Sequence, residues 1–423
     1  MRRNIVLLLG IVFCAVLLIG LQAQAQGVTI RRTSWCGEAQ HQNELEVNEM
    51  FEKEHPDIKI VDVYLPDWPT YQDRILTMVA AGNSPDIAII DGYYTQGFVK
   101  RGVVVNLQPY IERDNYDISD FFPYLLREAM YKEGAPFQTG DIYGFPCYCS
   151  TLSTIINMDM FKEAGIPLPD TKKWTQDDFV EIAQKLTKDS SGDGKVDQWG
   201  TNLEKGMWWP LVYSNGGSLL NKERTKCTLD QPEAYEALQW MADWYLEYGV
   251  TPSPAPQLMD LFMTDKVGML YAQWTASLSA YKSQGVPFDW TIGYLPAGKA
   301  GAISVSKGNS YVVSTQSEHP DEAWEVMKFL QSPQVQEFLG QKLQQIPTRM
   351  SVAQSREYYI RDYTPYDLSP FVFGNAVNLP LVPQYREIQE TWRSALEDLW
   401  MGEATAKEVC SAIAAKVNKL LSE

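Results

Sequence analysis

Residues 140–169 read GDIYGFPCYCSTLSTIINMDMFKEAGIPLP. Pro146 fixes a backbone bend, the β-branched run TLSTII after it reads as a strand, and Asn157 to Phe161 starts a helix. Cys147 and Cys149 fall on one face of the extended segment, where a disulfide between them would be strained, so they read as packing thiols. A strand that passes at once into a helix belongs to an alternating α/β chain, and the sequence on both sides of this stretch alternates in the same way.

Upstream, VTIRRTSW is β-rich and NELEVNEMFEKE puts Val47, Met50 and Phe51 on one helical face. His55-Pro56 then stops that helix, and IKIVDVYL is again β-rich. A second unit follows: Ile75, Met78 and Val79 have helical spacing, Gly82 is a C-cap and DIAIID is a short apolar strand. Such alternation predicts a mainly parallel sheet covered on both faces, with ligands bound beyond the C-terminal strand ends. Those ends deliver Trp35 with Cys36, Asp67 with Trp68 and Tyr71, and Asp91 with Tyr93 and Tyr94. Aromatic faces stack on the C–H faces of sugar rings and carboxylates accept from hydroxyls, so the recurrence suits a neutral polyhydroxylated ligand. Each aromatic taken alone fits a core position equally well.

Downstream the chain reads as a second α/β lobe. Asp230 and Glu233 are placed for a capping box before a helix with Leu238, Met241, Ala242 and Tyr245 inward. PDEAWEVMKFL repeats the device with Pro320 in the first turn and Ala323, Val326, Met327 and Leu330 inward. The last helix aligns Ala406, Val409, Cys410, Ile413 and Val417, which makes Cys410 an inert core residue.

The N-terminus has the form of an export signal: Arg2 and Arg3, an apolar run from Ile5 to Leu21, and the small-x-small site Ala23-Gln24-Ala25, so residues 1–25 are expected to be removed and the mature chain to start at Gln26. The run is barely long enough to span a bilayer and no basic stop-transfer segment follows. Cys14 sits mid-run, which disfavours acylation. No later segment is long and apolar enough to span, so the mature protein is expected to be soluble outside the cytoplasm. Loss of the two signal arginines takes the net charge from −17 to −19, which opposes nucleic acid and anionic membranes. Five cysteines remain, an odd number, and His41, His55 and His319 do not pair with them at zinc-site spacings.

The order of segments is recognisable. FEKEHPDIKI, ILTMVAAGNSPDIAIID, FVKRGVVVNLQPYI, the stretch from YGFP to DDF, then SNGGSLLN, FMTDKVGMLYAQW, DEAWEVMKFLQSPQVQEFL and IPTRMSV together resemble the family-1 extracellular solute-binding proteins of ABC importers, the group that includes maltose-binding proteins. The resemblance implies a two-lobe periplasmic-binding-protein fold, each lobe a mainly parallel sheet flanked by helices, with hinge crossovers near Pro146 to Thr151, Pro296 to Ser304 and Ile346 to Arg349. It places the N-terminal lobe at 26–148 and 300–346 and the C-terminal lobe at 149–299 and 347–423. It adds Trp208 or Trp209, Trp274, Tyr311 and, near the last crossing, Phe371, Phe373 or Tyr385 to the ligand-binding candidates Trp35, Asp67, Tyr71, Asp91 and Tyr93. Trp208 and Trp209 are expected to divide the roles of core and cleft. The implied partners are a small carbohydrate and the transmembrane subunits of an ABC permease, with the protein a monomer that makes and breaks no bond.

DSSGDGKVDQWG has the spacing of an EF-hand loop, with Asp189, Ser191, Asp193, the Lys195 carbonyl and Asp197 as candidate calcium ligands. Position 12 is Gly200 where the bidentate Glu belongs, so a Gly-rich surface turn is the stronger reading and any calcium is structural; no other cofactor is implied. Two other functions stay open. A glycoside-processing enzyme needs two flanking carboxylates, for which Asp67, Asp91 and Glu38 are available, although no nucleophile elbow, zincin motif or P-loop is present. A polyamine-binding protein of the same fold needs several converging carboxylates.

Overall fold

The computed structural model describes residues 27–34, 37–65, 68–134, 139–253, 258–275, 277–278, 281, 285–342, 346–359, 367–380 and 382–422; the expected signal segment lies outside them. The chain forms two compact units, one running to Ala88 and including Gln316–Phe329, the other made of Ile89–Thr315 and Leu330 onward.

In the first unit β1 (Val28–Ser34) and β2 (Ile58–Tyr64) pair in parallel, from Val28 opposite Ile58 to Ser34 opposite Tyr64. The start of β3 (Ile87–Asp91) joins the other edge of β1, with Arg32 opposite Ile87. The connecting helices Glu38–Glu54 and Trp68–Ala80 bury Val47, Phe51, Tyr71 and Ile75. Met50, expected on the same face, stays half-buried. Arg32 lies fully buried against Glu44 and donates to Asn48 Oδ1 at 2.8 Å, so this interior charge is compensated locally.

The second unit carries β4 (Met130–Tyr131) and β5 (Asp141–Ile142) as a small antiparallel pair. Its main sheet contains β6 (Phe145–Asn157), β7 (Trp199–Thr201), β8 (Val267–Trp274), β9 (Trp290–Gly293), β10 (Ser304–Val313) and β11 (Ala376–Asn378). The order is β3, β10, β6, β8, β7, with β11 on β10 and β9 on β6. The bend expected at Pro146 does not break the strand. β6 runs through it, giving residues 145–151 to β10 and 152–157 to β8 and β9. Pro146 is tolerated because the register with β10 slips between Asn309 and Ser310, a bulge of the kind where a missing donor is harmless. All three of these pairings are antiparallel while β7 and β8 are parallel, so this sheet is mixed.

Alternation along β6 feeds two cores. Leu152 and Ile156 enter one with Trp208, Trp244, Trp392 and Val417; Cys149 and Ile155 enter the other with Phe122, Phe262, Tyr281 and Phe371. Cys147, Cys149, Cys227 and Cys410 are buried and not disulfide-bonded. The inward faces expected for Ala323 to Leu330 and for Ala406 to Val417 are all buried. The capping box expected at Asp230 and Glu233 does not form. Pro232 opens that helix and makes Gln231 the cap, which moves Glu233 one position too early to reach back. Boxes form instead at Thr175 with Asp178 and Thr405 with Glu408.

Among the described residues no helix is long and apolar enough to cross a membrane. The segment after Gln341 is tied down by Arg349, which is buried over the Phe121 ring and donates to Tyr116 Oη at 2.8 Å and Asp120 Oδ2 at 3.3 Å.

Gly200 marks a close approach. A Cβ there would fall on the backbone of Ala183, where helix Gln176–Leu186 crosses β7. Gly200→Ala is expected to lower stability by about 1–3 kcal/mol through forced backbone shifts, measured as a reduced midpoint in urea unfolding.

Candidate functional site

The structure separates the ligand-binding candidates. Trp35, Asp67 and the side chain of Tyr93 lie outside the described residues. Tyr71 is not an open stacking face: it is fully buried in the first unit, with its hydroxyl 2.7 Å from Thr33 Oγ1. Its helix turns it under the sheet, since positions 71 and 75 share one face. Tyr311 is likewise buried in β10, whereas Phe373 stands 47% exposed at the end of helix Ser369–Phe373. Asp91, Trp208, Trp209 and Trp274 all belong to the second unit.

The two adjacent tryptophans belong to a run of aromatic rings. Trp208 sits 6.0 Å from Trp209 and meets Trp392 edge-on at 5.5 Å, and Trp392 meets Tyr385 edge-on at 6.1 Å. Trp274, the last residue of β8, pairs with Leu152 of β6 and lies half-buried against the same core. Trp208 precedes and Trp209 opens the short helix Trp209–Ser214, with Pro210 in its first turn. One turn on, Tyr213 shares the face of Trp209.

Polar groups edge this run. Burial pushes the Tyr385 phenol well above its ordinary range, and Asp91, Tyr94 and Tyr213, each within electrostatic range of it, push the same way. Burial likewise raises Tyr213, against a smaller lowering by Arg224, whose guanidinium burial itself disfavours as a cation. Arg224 is held there by its loop: it adopts a left-handed backbone with φ of 57°, and Asn221 Oδ1 accepts from the N–H groups of Thr225 and Lys226. The Trp209 Nε1–H is buried and meets no hydrogen-bond acceptor among the described residues. Both tryptophans pack in the core, and Trp209 is the one with an unused polar atom.

A further carboxylate lies close by in sequence. Burial raises the Glu204 carboxyl above its usual range, opposed only by the Gly206 N–H. Its neighbour Tyr281 has its hydroxyl 3.3 Å from Gln273 Oε1, next to Trp274 in the chain. On the other face of β10, the buried Glu128 accepts from Asn378 Nδ2, and a Cβ at Gly92 or Gly308 would overlap its carboxylate.

In the Asp-rich loop the carboxylates serve the backbone. Asp189 accepts from the Gly192 and Gly194 N–H groups and Ser191 Oγ, Asp193 from Lys195 N–H, and Asp197 from Ser190 while facing Lys266. Among the described residues no three His, Cys, Asp or Glu side chains converge as metal ligands. Position 12 is closed to glutamate by the contact of Gly200 with Ala183.

The family model for bacterial extracellular solute-binding proteins matches residues 39–337. The chain belongs to this family. A binding protein of Brucella abortus is 25% identical over 386 residues, covering 89% of each chain. The arabinooligosaccharide-binding protein of Bacillus subtilis is 24% identical over 228 residues, 52% of this chain and 49% of that one. Among solved structures, an ABC substrate-binding protein of Listeria monocytogenes in complex with cycloalternan superposes with a TM-score of 0.82 at 24% identity, covering 93% of this chain and 99% of the other. The fold is therefore the two-lobe α/β fold of solute-binding proteins. Of the residues along the aromatic run and at its polar edge, Tyr213 was legible from its spacing to Trp209 and Tyr94 from its place near Asp91. Arg224 and Trp392 carried no local signal.

A carboxyl raised in the folded state binds its proton more tightly there, so its contribution to stability is present at low pH and lost as pH rises through the folded value. Glu204→Gln is thus expected to melt higher than the parent at pH 8, with the difference vanishing near pH 4, as followed by circular dichroism. Millimolar calcium is expected to leave the melting midpoint unchanged, because backbone donors already occupy Asp189.

Proposed function

We propose that the mature chain, from Gln26, captures a sugar or oligosaccharide between its two lobes and delivers it to the permease of an ABC transporter, acting as a periplasmic or extracytoplasmic monomer. The observation that carries this reading is the half-buried Trp274 at the end of β8, with Tyr213, Arg224 and the unused Trp209 N–H as polar groups of the same unit. Indole faces supply stacking area for sugar rings, and the mixed donors and acceptors at their edges match hydroxyl groups. Arg224 in this group disfavours a polyamine, which would require carboxylates alone. The relatives agree in kind: one binds arabinooligosaccharide and the structural neighbour holds cycloalternan.

The lobes are taken as 26–148 with 300–346 and 149–299 with 347–423. Differential affinity for the closed state is the whole mechanism, so bound solute is released intact.

The test is a thermal-shift screen of residues 26–423 against maltotriose, mannotriose, arabinooligosaccharides and spermidine, with recovery of the solute afterwards. A carbohydrate that raises the midpoint and is recovered uncut supports the proposal; cleavage, or a shift with spermidine alone, overturns it. Trp274→Ala is expected to weaken the bound carbohydrate by about tenfold or more, through loss of a stacking face, while the apo midpoint moves little. Unfolding of this variant would instead assign Trp274 to the core.

A further inference from the structure

β8 does not run regularly to its end. Against β6, Met269 lies opposite Ile156 and Leu270 opposite Ile155, but Gln273 lies opposite Ser153 and Trp274 opposite Leu152, so Tyr271 and Ala272 together face the single residue Thr154. Inside this one-residue bulge the fully buried Ala272 has a backbone φ of 52°, in the left-handed region that a residue with a Cβ adopts only at a steric cost. The main chain of Tyr271 is held from outside the β6 ladder. Its N–H donates to Oδ1 of the buried Asn202, the residue after β7, at 3.0 Å, and its carbonyl accepts from Gln273 Nε2 at 3.2 Å.

The bulge decides where the end of the strand points. Side chains alternate between the two faces of a strand, so Leu270 and Trp274, four residues apart, would share a face if β8 were regular. Leu270 enters the core with Phe262 and Tyr281, whereas Trp274 packs against the other core, which holds Met269, Tyr271, Trp208 and Trp209. Gln273 goes the opposite way, its Oε1 accepting from Tyr281 Oη at 3.3 Å. One extra residue has therefore exchanged the faces of the last two positions, and a regular strand would present Gln273 where Trp274 stands. A non-glycine residue stays in the left-handed region only where its surroundings hold it, and a bulge beside a site is a means of re-aiming one side chain.

We propose that Ala272 is a positioning residue for solute binding: its bulge, held by Asn202, turns Trp274 onto the side of the sheet that carries Trp208 and Trp209. The inference rests on the carbohydrate reading above and adds that affinity depends on a buried residue that touches no sugar. Glycine at 272 takes the same backbone without steric cost and so preserves the aim. Valine, branched at Cβ, tolerates a positive φ less well than alanine; it drives the bulge out of this conformation and turns Trp274 away.

The chain has 13 tryptophans, so protein labelled with 5-fluorotryptophan gives a countable set of 19F signals, and Trp274→Phe assigns the relevant one. The sugar is whichever of maltotriose, mannotriose or arabinooligosaccharide raises the melting midpoint of the parent. Ala272→Gly is expected to leave the Trp274 signal and the affinity for that sugar as in the parent. Ala272→Val is expected to move the Trp274 signal and to weaken the sugar about tenfold or more. Asn202→Ser leaves residue 272 alone but is too short to reach the Tyr271 N–H; it is expected to move the same signal and to weaken the sugar about fivefold, which added bulk in the core cannot explain. An Ala272→Gly variant that binds as weakly as the valine variant overturns the proposal, as does a Trp274 signal unmoved in Asn202→Ser, and the serine variant decides the matter if the valine variant does not fold. If no sugar raises the parent's midpoint the carbohydrate reading falls, and the Trp274 signal alone then supports or overturns the positioning role.

Discussion

The structure depends most on β6. Thirteen residues, Phe145–Asn157, pair first with β10 and then with β8 and β9, and their alternate side chains enter two different cores. A strand has only two faces, so a shift of one residue would exchange Leu152 and Ile156 with Cys149 and Ile155 and mispack both cores together. The register slip opposite Pro146 lets a residue without an N–H sit inside this ladder.

The aromatic run shows how a core takes in rings that carry polar atoms. Trp208 and Trp392 are held edge to face, the geometry in which ring quadrupoles attract. Trp209 and Tyr385 extend the run and bring polar atoms into the core with them. Burial of the Tyr385, Tyr213 and Arg224 polar groups is unfavourable for their charged forms. The protein keeps them in place through chain geometry: helical spacing for Tyr213, and the Asn221 hydrogen bonds for the loop that bears Arg224.

The Asp-rich loop and Gly200 illustrate the opposite case, in which a motif is consumed by folding. The loop has the spacing of a cation site, yet its carboxylates cap their own backbone N–H groups, the usual behaviour of aspartate in tight turns. The residue that would complete a calcium shell is excluded by a helix crossing the strand.

Local signals determined a good deal of this protein. The alternation of strands and helices, the buried faces at Ala323 to Leu330 and Ala406 to Val417 and the buried Cys410 all follow from periodicity and composition, which act over a few residues. The family follows from the order of segments along the chain. Only the tertiary structure decided that β6 passes unbroken through Pro146, that Tyr71 is core and that Arg224 comes to Tyr213. Each of these depends on a partner more than ten residues away or on a frame shift of one position, as with Pro232 at its helix start. Pairings of that kind are set by the packing of whole elements, a constraint that no short window of sequence contains.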